Sequence, residues 1–143
     1  MTRITVRNRQ RTVSVNLAAL NKFAEHALAE CLKIPPNKSS IVKNLSEISV
    51  LLISDRRMAA LHQQFLRIAG PTDVITFQHG EIFVSAETAR AQSRRFRTST
   101  EKEIQLYIVH GLLHLHGFDD TNSAAAARME RTQQKLLVAI GGK

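Results

Sequence analysis

The chain has few of the features that place a protein outside the cytoplasm. Cys31 is its single cysteine, so no disulfide can form within the chain. The sequence contains no run of about eighteen apolar residues, which is close to the minimum for a transmembrane helix. The basic stretch MTRITVRNRQR leads into no apolar segment of the kind that a secretory signal requires. These absences predict a cytoplasmic protein without a membrane span.

Acidic residues are scarce relative to basic ones. The chain has 20 Lys and Arg against 12 Asp and Glu, which gives a formal net charge of +8. The basic excess is concentrated in residues 1–46 and 90–102, whereas residues 47–89 are slightly acidic. Such a distribution favours a polyanionic partner such as nucleic acid, and a solvated basic surface without a partner is the alternative.

Internal repeats and low-complexity linkers are also absent. Hydrophobic residues make up 43% of the chain and charged residues 22%, as is usual for a globular protein. A chain of 143 residues can bury one modest core. We therefore expect one domain over residues 1–143.

Hydrophobic periodicity predicts the elements of secondary structure. Strands are expected at residues 4–8, 48–54, 73–77 and 81–85, the last two as a hairpin. Helices are expected at residues 16–33, 55–65, 86–97, 100–116 and 124–140. Breaks are expected at a loop over 34–40 and a turn over 70–72.

Residues with short polar side chains stand where three of these helices begin. The expected N-caps are Asp55, Thr100, and either Asn122 or Ser123. Glu103 follows Thr100 by three residues and would complete a capping box. The elements together predict an α+β domain, a small mixed sheet of about four strands covered by about five helices.

The stretch HGLLHLHGFDD, residues 110–120, holds three of the six histidines and two adjacent aspartates. His110 and His114 are four residues apart on a predicted helix, so their imidazoles leave the same face one turn apart. Gly117 is expected to end the helix and to turn the chain back, which brings Asp120 into reach. Two imidazoles and one carboxylate leave a fourth metal position open, as is typical of catalytic sites. The sequence therefore predicts a metal site on a helix and the turn after it.

Two neighbours of these ligands have other interpretations. His116 lies two residues from His114 and points away from the ligand face, so we interpret it as a non-ligand. Asp119 is the competing third ligand, although its spacing is one residue short. It can instead accept a hydrogen bond from a ligand imidazole.

Gly111 stands inside the predicted helix, where glycine costs about 1 kcal/mol relative to alanine. Close helix packing explains it, and so does a need to keep the surroundings of the metal open for a large substrate. The histidine spacing also fits the zinc-protease frame H-E-x-x-H-x-x-G-x-x-H, in which the glutamate is the general base. Gly111 occupies the position of that glutamate. Peptide hydrolysis is therefore the least favoured activity.

Residues 110–120 resemble the H-G-x-L-H-L-x-G-y-D-H signature of the YbeY endoribonucleases. PTDVITF (71–77) resembles the P-T-D-V-L-S-F of that family, and GEIFVSAETARAQ (80–92) resembles its G-D-I-x-I-S-x-E-x-A-x-x-Q. The three stretches also keep the order and spacing of the family. The resemblance covers most of residues 47–140.

This resemblance implies a metal-dependent, single-strand-specific endoribonuclease that acts in 16S rRNA 3′-end maturation and in ribosome biogenesis and quality control. It implies ribosomal RNA, the small ribosomal subunit and assembly factors as partners. One Zn²⁺ ion, held by His110, His114 and Asp120, is the implied cofactor. Asp120 stands where the family has histidine, and its negative charge makes other divalent metals more competitive.

A second departure concerns an arginine that is thought to assist catalysis in the family. Leu66 occupies its register here, and Arg67 follows one residue later. The candidate catalytic residues are therefore His110, His114 and Arg67. Stabilisation of a phosphorane-like transition state falls on the metal and on basic residues if Arg67 does not reach the site.

Basic residues around the third predicted helix are the candidates for RNA binding. They are Arg90, Arg94, Arg95, Arg97 and Lys102. Arg90, Arg94 and Arg97 share one helical face. Phe96 lies among them and can stack on a base, although a core phenylalanine is the simpler interpretation.

The remaining choices concern mechanism and function. The nucleophile is either metal-activated water or the 2′-OH of the RNA. His79 is expected to be an ordinary turn residue, and Thr72 with Asp73 to shape the preceding turn. The rival function is a non-catalytic RNA-binding ribosome-assembly factor whose metal is structural.

Overall fold

The computed structural model describes residues 1–36, 40–68, 70 and 72–141. The middle of the loop predicted over 34–40 and Pro71 of the predicted turn lie outside the described residues. No helix within the described ranges combines the length and apolarity needed to span a membrane.

Four strands and five α-helices follow one another along the chain. The strands are β1 (Arg3–Asn8), β2 (Glu47–Ile53), β3 (Val74–Phe77) and β4 (Glu81–Ser85). The helices are α1 (Leu17–Leu32), α2 (Asp55–Leu66), α3 (Ala86–Phe96), α4 (Thr100–Leu115) and α5 (Ser123–Gly141). These elements confirm the predicted α+β class with a small mixed sheet.

The strands form one sheet in the order β1-β2-β4-β3. β2 pairs in parallel with β1 and with β4, whereas β3 and β4 are antiparallel. The predicted hairpin is therefore correct, and β3 is an edge strand. Its open side becomes one wall of the candidate site described below.

Both faces of the sheet are covered, which explains the nearly continuous apolar run of β2. Successive side chains of a strand point to opposite faces. Ile48, Val50 and Leu52 face the main core, which α1, α4 and α5 complete. Ile53 faces a smaller cluster with Met58 of α2. The sheet thus separates α2 from the other core helices.

Gly111 brings α4 close to the sheet. A Cβ atom at this position would lie 2.7 Å from Cγ2 of Ile82, a fully buried residue of β4. Close packing is therefore the correct interpretation of Gly111, and the open-neighbourhood interpretation is wrong. The same contact leaves no room for the general-base glutamate of the zinc-protease frame.

Two predicted N-caps are wrong by one residue. Ser54 caps α2, since its Oγ accepts a hydrogen bond from the Arg57 N–H at 3.2 Å. Asp55 instead accepts hydrogen bonds from the hydroxyls of Ser85 and Thr88. The cap residue needs an extended backbone, which Ser54 has and the helical Asp55 has not.

The same shift occurs at α4, where Ser99 rather than Thr100 is the cap. Ser99 Oγ accepts from the Lys102 N–H at 3.1 Å. The predicted capping box is therefore wrong, and Glu103 accepts a hydrogen bond from Thr98 Oγ1 at 2.9 Å. At α5, Asn122 is the cap and accepts from the Ala125 N–H at 2.8 Å.

Candidate metal centre

The chain reverses direction directly after α4, as predicted. Gly117 has a φ of +93°, in the left-handed region where glycine carries no steric penalty. The Gly117 N–H donates to the His114 carbonyl at 3.1 Å, and the Phe118 N–H donates to the Leu113 carbonyl at 2.9 Å. This turn brings Asp120 back beside the end of the helix.

The three predicted ligands lie together. The Nε2 atoms of His110 and His114 are 3.1 Å apart, with the rings nearly perpendicular at 78°. One ligand atom from each of His110, His114 and Asp120 lies within 4.8 Å of the other two. A tetrahedral zinc ion with Zn–N bonds of about 2.0–2.1 Å separates its nitrogen ligands by about 3.3 Å. The spacing and chemistry of these side chains therefore fit a divalent metal ion.

Gln133 of α5 orients His110, and the sequence interpretation missed it. Its Oε1 accepts a hydrogen bond from His110 Nδ1 at 3.0 Å, while its Nε2 donates to Glu130 at 3.3 Å. With Nδ1 as donor, the lone pair of Nε2 is available to a metal. The sequence carries one signal of this role. Gln133 is a polar residue on the otherwise apolar buried face of α5, with Met129 and Leu136 as neighbours on that face.

The pKa of His114 is lowered from its ordinary value. Burial of the ring is the main cause and the nearby His110 contributes, whereas Asp120 and the Phe118 backbone act in the opposite direction. A lowered pKa favours the neutral imidazole near neutral pH. That is the form that binds metals.

Asp119 and His116 are engaged elsewhere. Asp119 Oδ1 accepts from the N–H and hydroxyl of Thr121 at 3.2 and 2.8 Å, and these bonds lower the pKa of the Asp119 carboxyl. His116 is fully buried, with Nδ1 3.0 Å from Ser40 Oγ and Nε2 2.8 Å from the Ile34 carbonyl. Neither residue joins the cluster, as the interpretation of His116 as a non-ligand requires.

The ligand face of α4 continues toward its N-terminus through the buried Tyr107. Tyr107 lies about one turn before His110. Burial and the carboxylates of Asp73 and Glu103 raise the pKa of the Tyr107 hydroxyl. Tyr107 therefore stays protonated near neutral pH.

A cavity of about 390 Å³ opens beside the three ligands. Its walls are the end of α2, the segment through β3, and α4 with the turn after it. The lining residues are His62, Leu66, Thr72, Asp73, Val74, Ile75, Thr76, Phe77, Gln78, His110, His114 and Asp120. Asp73 Oδ1 accepts from the Val74 N–H at 2.8 Å and so helps to set the start of β3, which agrees with its expected role.

Arg67 is not among the described residues that line this cavity, whereas Leu66 is. Arg67 is the exposed C-cap of α2, with a left-handed φ of 56°. The structure therefore places Leu66 rather than Arg67 against the site. His79 is exposed at the hairpin turn, where its Nε2 lies 2.6 Å from Glu81.

The candidate RNA-binding residues belong to α3, its C-cap and the first turn of α4. Arg94, Arg95, Arg97 and Lys102 are exposed, and no ion pair in the described part of the chain involves them or Arg90. None of the five lines the metal cavity. Lys102 instead lines a separate cavity of about 510 Å³ between α1, α4 and α5.

The structure contradicts the interpretation of Phe96 as a core residue. Its side chain is 61% exposed, with the Arg95 guanidinium 5.4 Å from the ring centre. The buried face of α3 is formed by the small residues Ala86, Ala89 and Ser93. Phe96 lies at the end of the helix, outside that face.

The fold and the His-His-Asp cluster together define an α+β domain with a candidate metal centre on a helix and the following turn. Comparison with known proteins makes the class more specific. The sequence model described as Endoribonuclease YbeY matches residues 5–141, and the chain belongs to this family. Membership supports an endoribonuclease role and RNA as the class of substrate.

Individual relatives agree with this assignment. A Bacteroides fragilis protein named Endoribonuclease YbeY is 33% identical over 102 residues, which cover 66% of this chain and 73% of the relative. A Frankia alni protein of the same name is 30% identical over 156 residues, with 90% and 80% covered. The solution structure of TM1509 from Thermotoga maritima superposes with a TM-score of 0.65 at 28% identity, covering 99% of this chain and 90% of that chain.

Proposed function

We propose that this protein is a metal-dependent, single-strand-specific endoribonuclease that acts in 16S rRNA 3′-end maturation and in ribosome biogenesis and quality control. One observation carries the proposal. The Nε2 atoms of His110 and His114 converge to 3.1 Å beside Asp120, in a chain of the YbeY family. Ribosomal RNA, the small ribosomal subunit and its assembly factors are the proposed partners. We place this activity in the cytoplasm, because a lone buried cysteine suits a reducing compartment.

The proposed cofactor is one Zn²⁺ or another divalent ion, which would supply Lewis-acid chemistry at a phosphate oxygen. His110 and His114 would hold it through Nε2, and Asp120 through a carboxylate oxygen. Gln133 keeps the His110 ring in the tautomer that can bind. The carboxylate of Asp120 adds a negative charge that a third histidine would not, so metals harder than zinc become better competitors.

Basic residues would supply charge that the ligands do not. Arg67 does not line the cavity, and we propose that its exposed side chain turns toward the phosphate when RNA binds and stabilises the developing charge there. Arg90, Arg94, Arg95, Arg97 and Lys102 are the proposed contacts to the RNA backbone. Four of them are exposed cations without an ion pair among the described residues, so binding phosphates breaks no ion pair of the fold.

A cleavage assay tests the proposal. Purified protein is incubated with single-stranded RNA in the presence and absence of a chelator, and His114→Ala serves as the matched variant. Cleavage should stop in both the chelated protein and the variant. Cleavage that survives both treatments would show that another site, or a contaminating nuclease, is responsible. Metal analysis of protein purified without a histidine tag identifies the ion.

One observation favours the second candidate, a non-catalytic ribosome-assembly factor. Leu66 rather than an arginine lines the site, which removes a charge that family members are thought to use. RNA binding that persists without any cleavage, in metal-loaded protein, would support that function over the first.

A further inference from the structure

Apolar side chains are exposed at the mouth of the metal cavity. Phe65, Leu66 and Ile68, at the end of α2, are 54%, 50% and 52% exposed. Leu66 and Phe77 also line the cavity that holds the three candidate metal ligands. Large apolar groups exposed next to a polar site usually mark a binding surface. Neither the core nor the metal ligands account for them.

Three rings form a continuous series along this mouth, which we call the aromatic rim: Phe65, Phe77 and His79. The ring centres of Phe65 and Phe77 are 5.3 Å apart in an edge-to-face arrangement of 75°. The rings of Phe77 and His79 are nearly parallel, at 15° and 5.7 Å. The rim therefore runs from the cavity wall out to the surface.

The rim is anchored from below. Phe77 packs on the small apolar cluster under α2 and meets Phe83 edge-to-face at 5.7 Å. His79 is also held, because its Nε2 lies 2.6 Å from Glu81. Rings that are fixed before binding lose little conformational entropy when a ligand stacks on them.

We propose that the aromatic rim is a stacking subsite for an unpaired nucleobase next to the phosphate that is cleaved. This inference rests on the proposed function, and it identifies the part of the site that would give the enzyme its preference for unpaired RNA. Every base offers a π-face to an aromatic ring when it is unpaired. Bases within a duplex already stack on one another, so the rim discriminates against them.

The surroundings favour a nucleobase over a protein partner. Phe77 of the rim lines the same cavity as the three metal ligands, and Phe65 contacts Phe77, so a nucleotide with its phosphate at the metal would place its base near the rim. The net charge of +8 attracts a polyanion to the protein as a whole, while residues 47–89, which hold the rim, are slightly acidic, so binding at the rim rests on stacking rather than on charge. The Phe65 ring, which belongs to a half-exposed side chain and meets Phe77 edge-to-face, offers a π-face on which a planar base can stack.

The test compares Phe65→Leu with Phe65→Tyr. Leucine keeps an apolar side chain but removes the π-face, whereas tyrosine keeps the ring. Steady-state cleavage is measured with a single-stranded oligoribonucleotide, and binding is measured with the same sequence in a duplex. We expect Phe65→Leu to raise KM for the single strand roughly tenfold, with kcat nearly unchanged, because stacking binds ground and transition states alike. Binding of the duplex, which a single-strand-specific enzyme does not cleave, should be the same in the parent and in Phe65→Leu, and Phe65→Tyr should behave like the parent.

A binding measurement makes the inference independent of catalysis. RNA that carries 2-aminopurine is titrated with protein in the presence of a chelator, and stacking on the rim should quench its fluorescence. Phe65→Leu should lose most of this quenching. Equal affinity, quenching and single-strand preference in Phe65→Leu and the parent would overturn the subsite while the endoribonuclease proposal stands, and would assign the rim to a protein partner. A parent protein that neither binds nor cleaves RNA would overturn both.

Discussion

The two ends of α4 differ in burial, in charge and in the contacts of their side chains. At its C-terminal end, His110 and His114 are half-buried and their Nε2 atoms are 3.1 Å apart. At its N-terminal end, Lys102 is exposed, as are Arg94 and Arg95 of α3, and all three are free of ion pairs within the described ranges. Eight residues of helix place Lys102 about 12 Å along the axis from His110.

This difference separates two kinds of recognition. The histidines are held by packing and by Gln133, so a metal would meet ligands that are already placed. The basic side chains are long and solvated, so they act through charge rather than through a fixed geometry. Substitutions at the first end should therefore change affinity in large steps, and substitutions at the second end should change it gradually and with salt.

The largest effect is expected at Asp120. We expect Asp120→Asn to weaken zinc binding roughly a hundredfold, because losing a charged ligand should cost at least as much as losing an outer partner, which costs about 10- to 100-fold. Competition with a chromophoric chelator measures it. Asp119→Asn is the matched control and should bind zinc like the parent, since Asp119 is engaged with Thr121. Equal weakening in the two variants would remove Asp120 from the ligand set.

A variant in the opposite direction sharpens this test. Asp120→His restores the ligand of the family signature, and we expect it to bind zinc more tightly than the parent. In the same variant, the affinity for harder metals should fall relative to the affinity for zinc. Unchanged or weaker zinc affinity would contradict the assigned role of the carboxylate.

The second largest loss of zinc affinity is expected for substitutions of Gln133. Gln133→Leu removes the acceptor of His110 Nδ1, and we expect zinc affinity to fall roughly tenfold. Gln133→Glu keeps an acceptor oxygen and should retain the affinity. Nitrogen chemical shifts of His110 should show a loss of the single tautomer in Gln133→Leu alone. A purely structural role would instead lower thermal stability in both variants without this split.

Gly111 tests the rigidity of the metal end. We expect Gly111→Ala to lower the free energy of unfolding by about 1 kcal/mol, because overpacking against Ile82 costs about 1–3 kcal/mol and helix propensity returns about 1. The urea midpoint should fall without a change in slope. Gly141→Ala, where a Cβ would meet nothing within 4 Å, is the control. If Gly111→Ala is more stable than the parent, the Ile82 side chain must move aside at little cost.

The smallest effect, a change in RNA affinity, is expected for the basic residues near the N-terminal end of α4. Replacing Arg94 and Arg95 by glutamine should weaken RNA binding severalfold and reduce its logarithmic salt slope by about one for each lost phosphate contact. Zinc affinity should not change. Arg7→Gln is the control, because Arg7 lies 4.0 Å from Glu47 and its charge is already partly balanced. An unchanged salt slope in the double variant would remove these arginines from the RNA path.

Much of the fold could be predicted because its signals are local. Alternation in the strands, the 3.6-residue period in the helices and the glycine after α4 each act over a few residues. The clustering of His110, His114 and Asp120 could also be predicted from local sequence, because one helical turn and one chain reversal bring them together. The capping errors were also local, because two adjacent polar residues competed for each cap and only backbone geometry decided.

Other parts of the site depend on packing between distant segments. Gln133 reaches His110 only because α5 lies against α4, which periodicity does not determine. The exposure of Phe96 follows from the small residues that α3 buries. The aromatic rim likewise requires the end of α2 to lie beside β3, on the far side of the sheet from the main core.

His116 has a consequence for mutational mapping of the HGLLHLH stretch. It anchors Ser40 and Ile34, on the segment that leads into β2, to the turn after α4. Alanine at any of the three histidines should therefore abolish function. His110 and His114 would be lost as metal ligands, whereas His116 would be lost as a structural contact. Because the His116 variant would lose a fully buried ring and its contacts to Ser40 and Ile34, we expect it to have the lowest melting temperature of the three metal-free proteins.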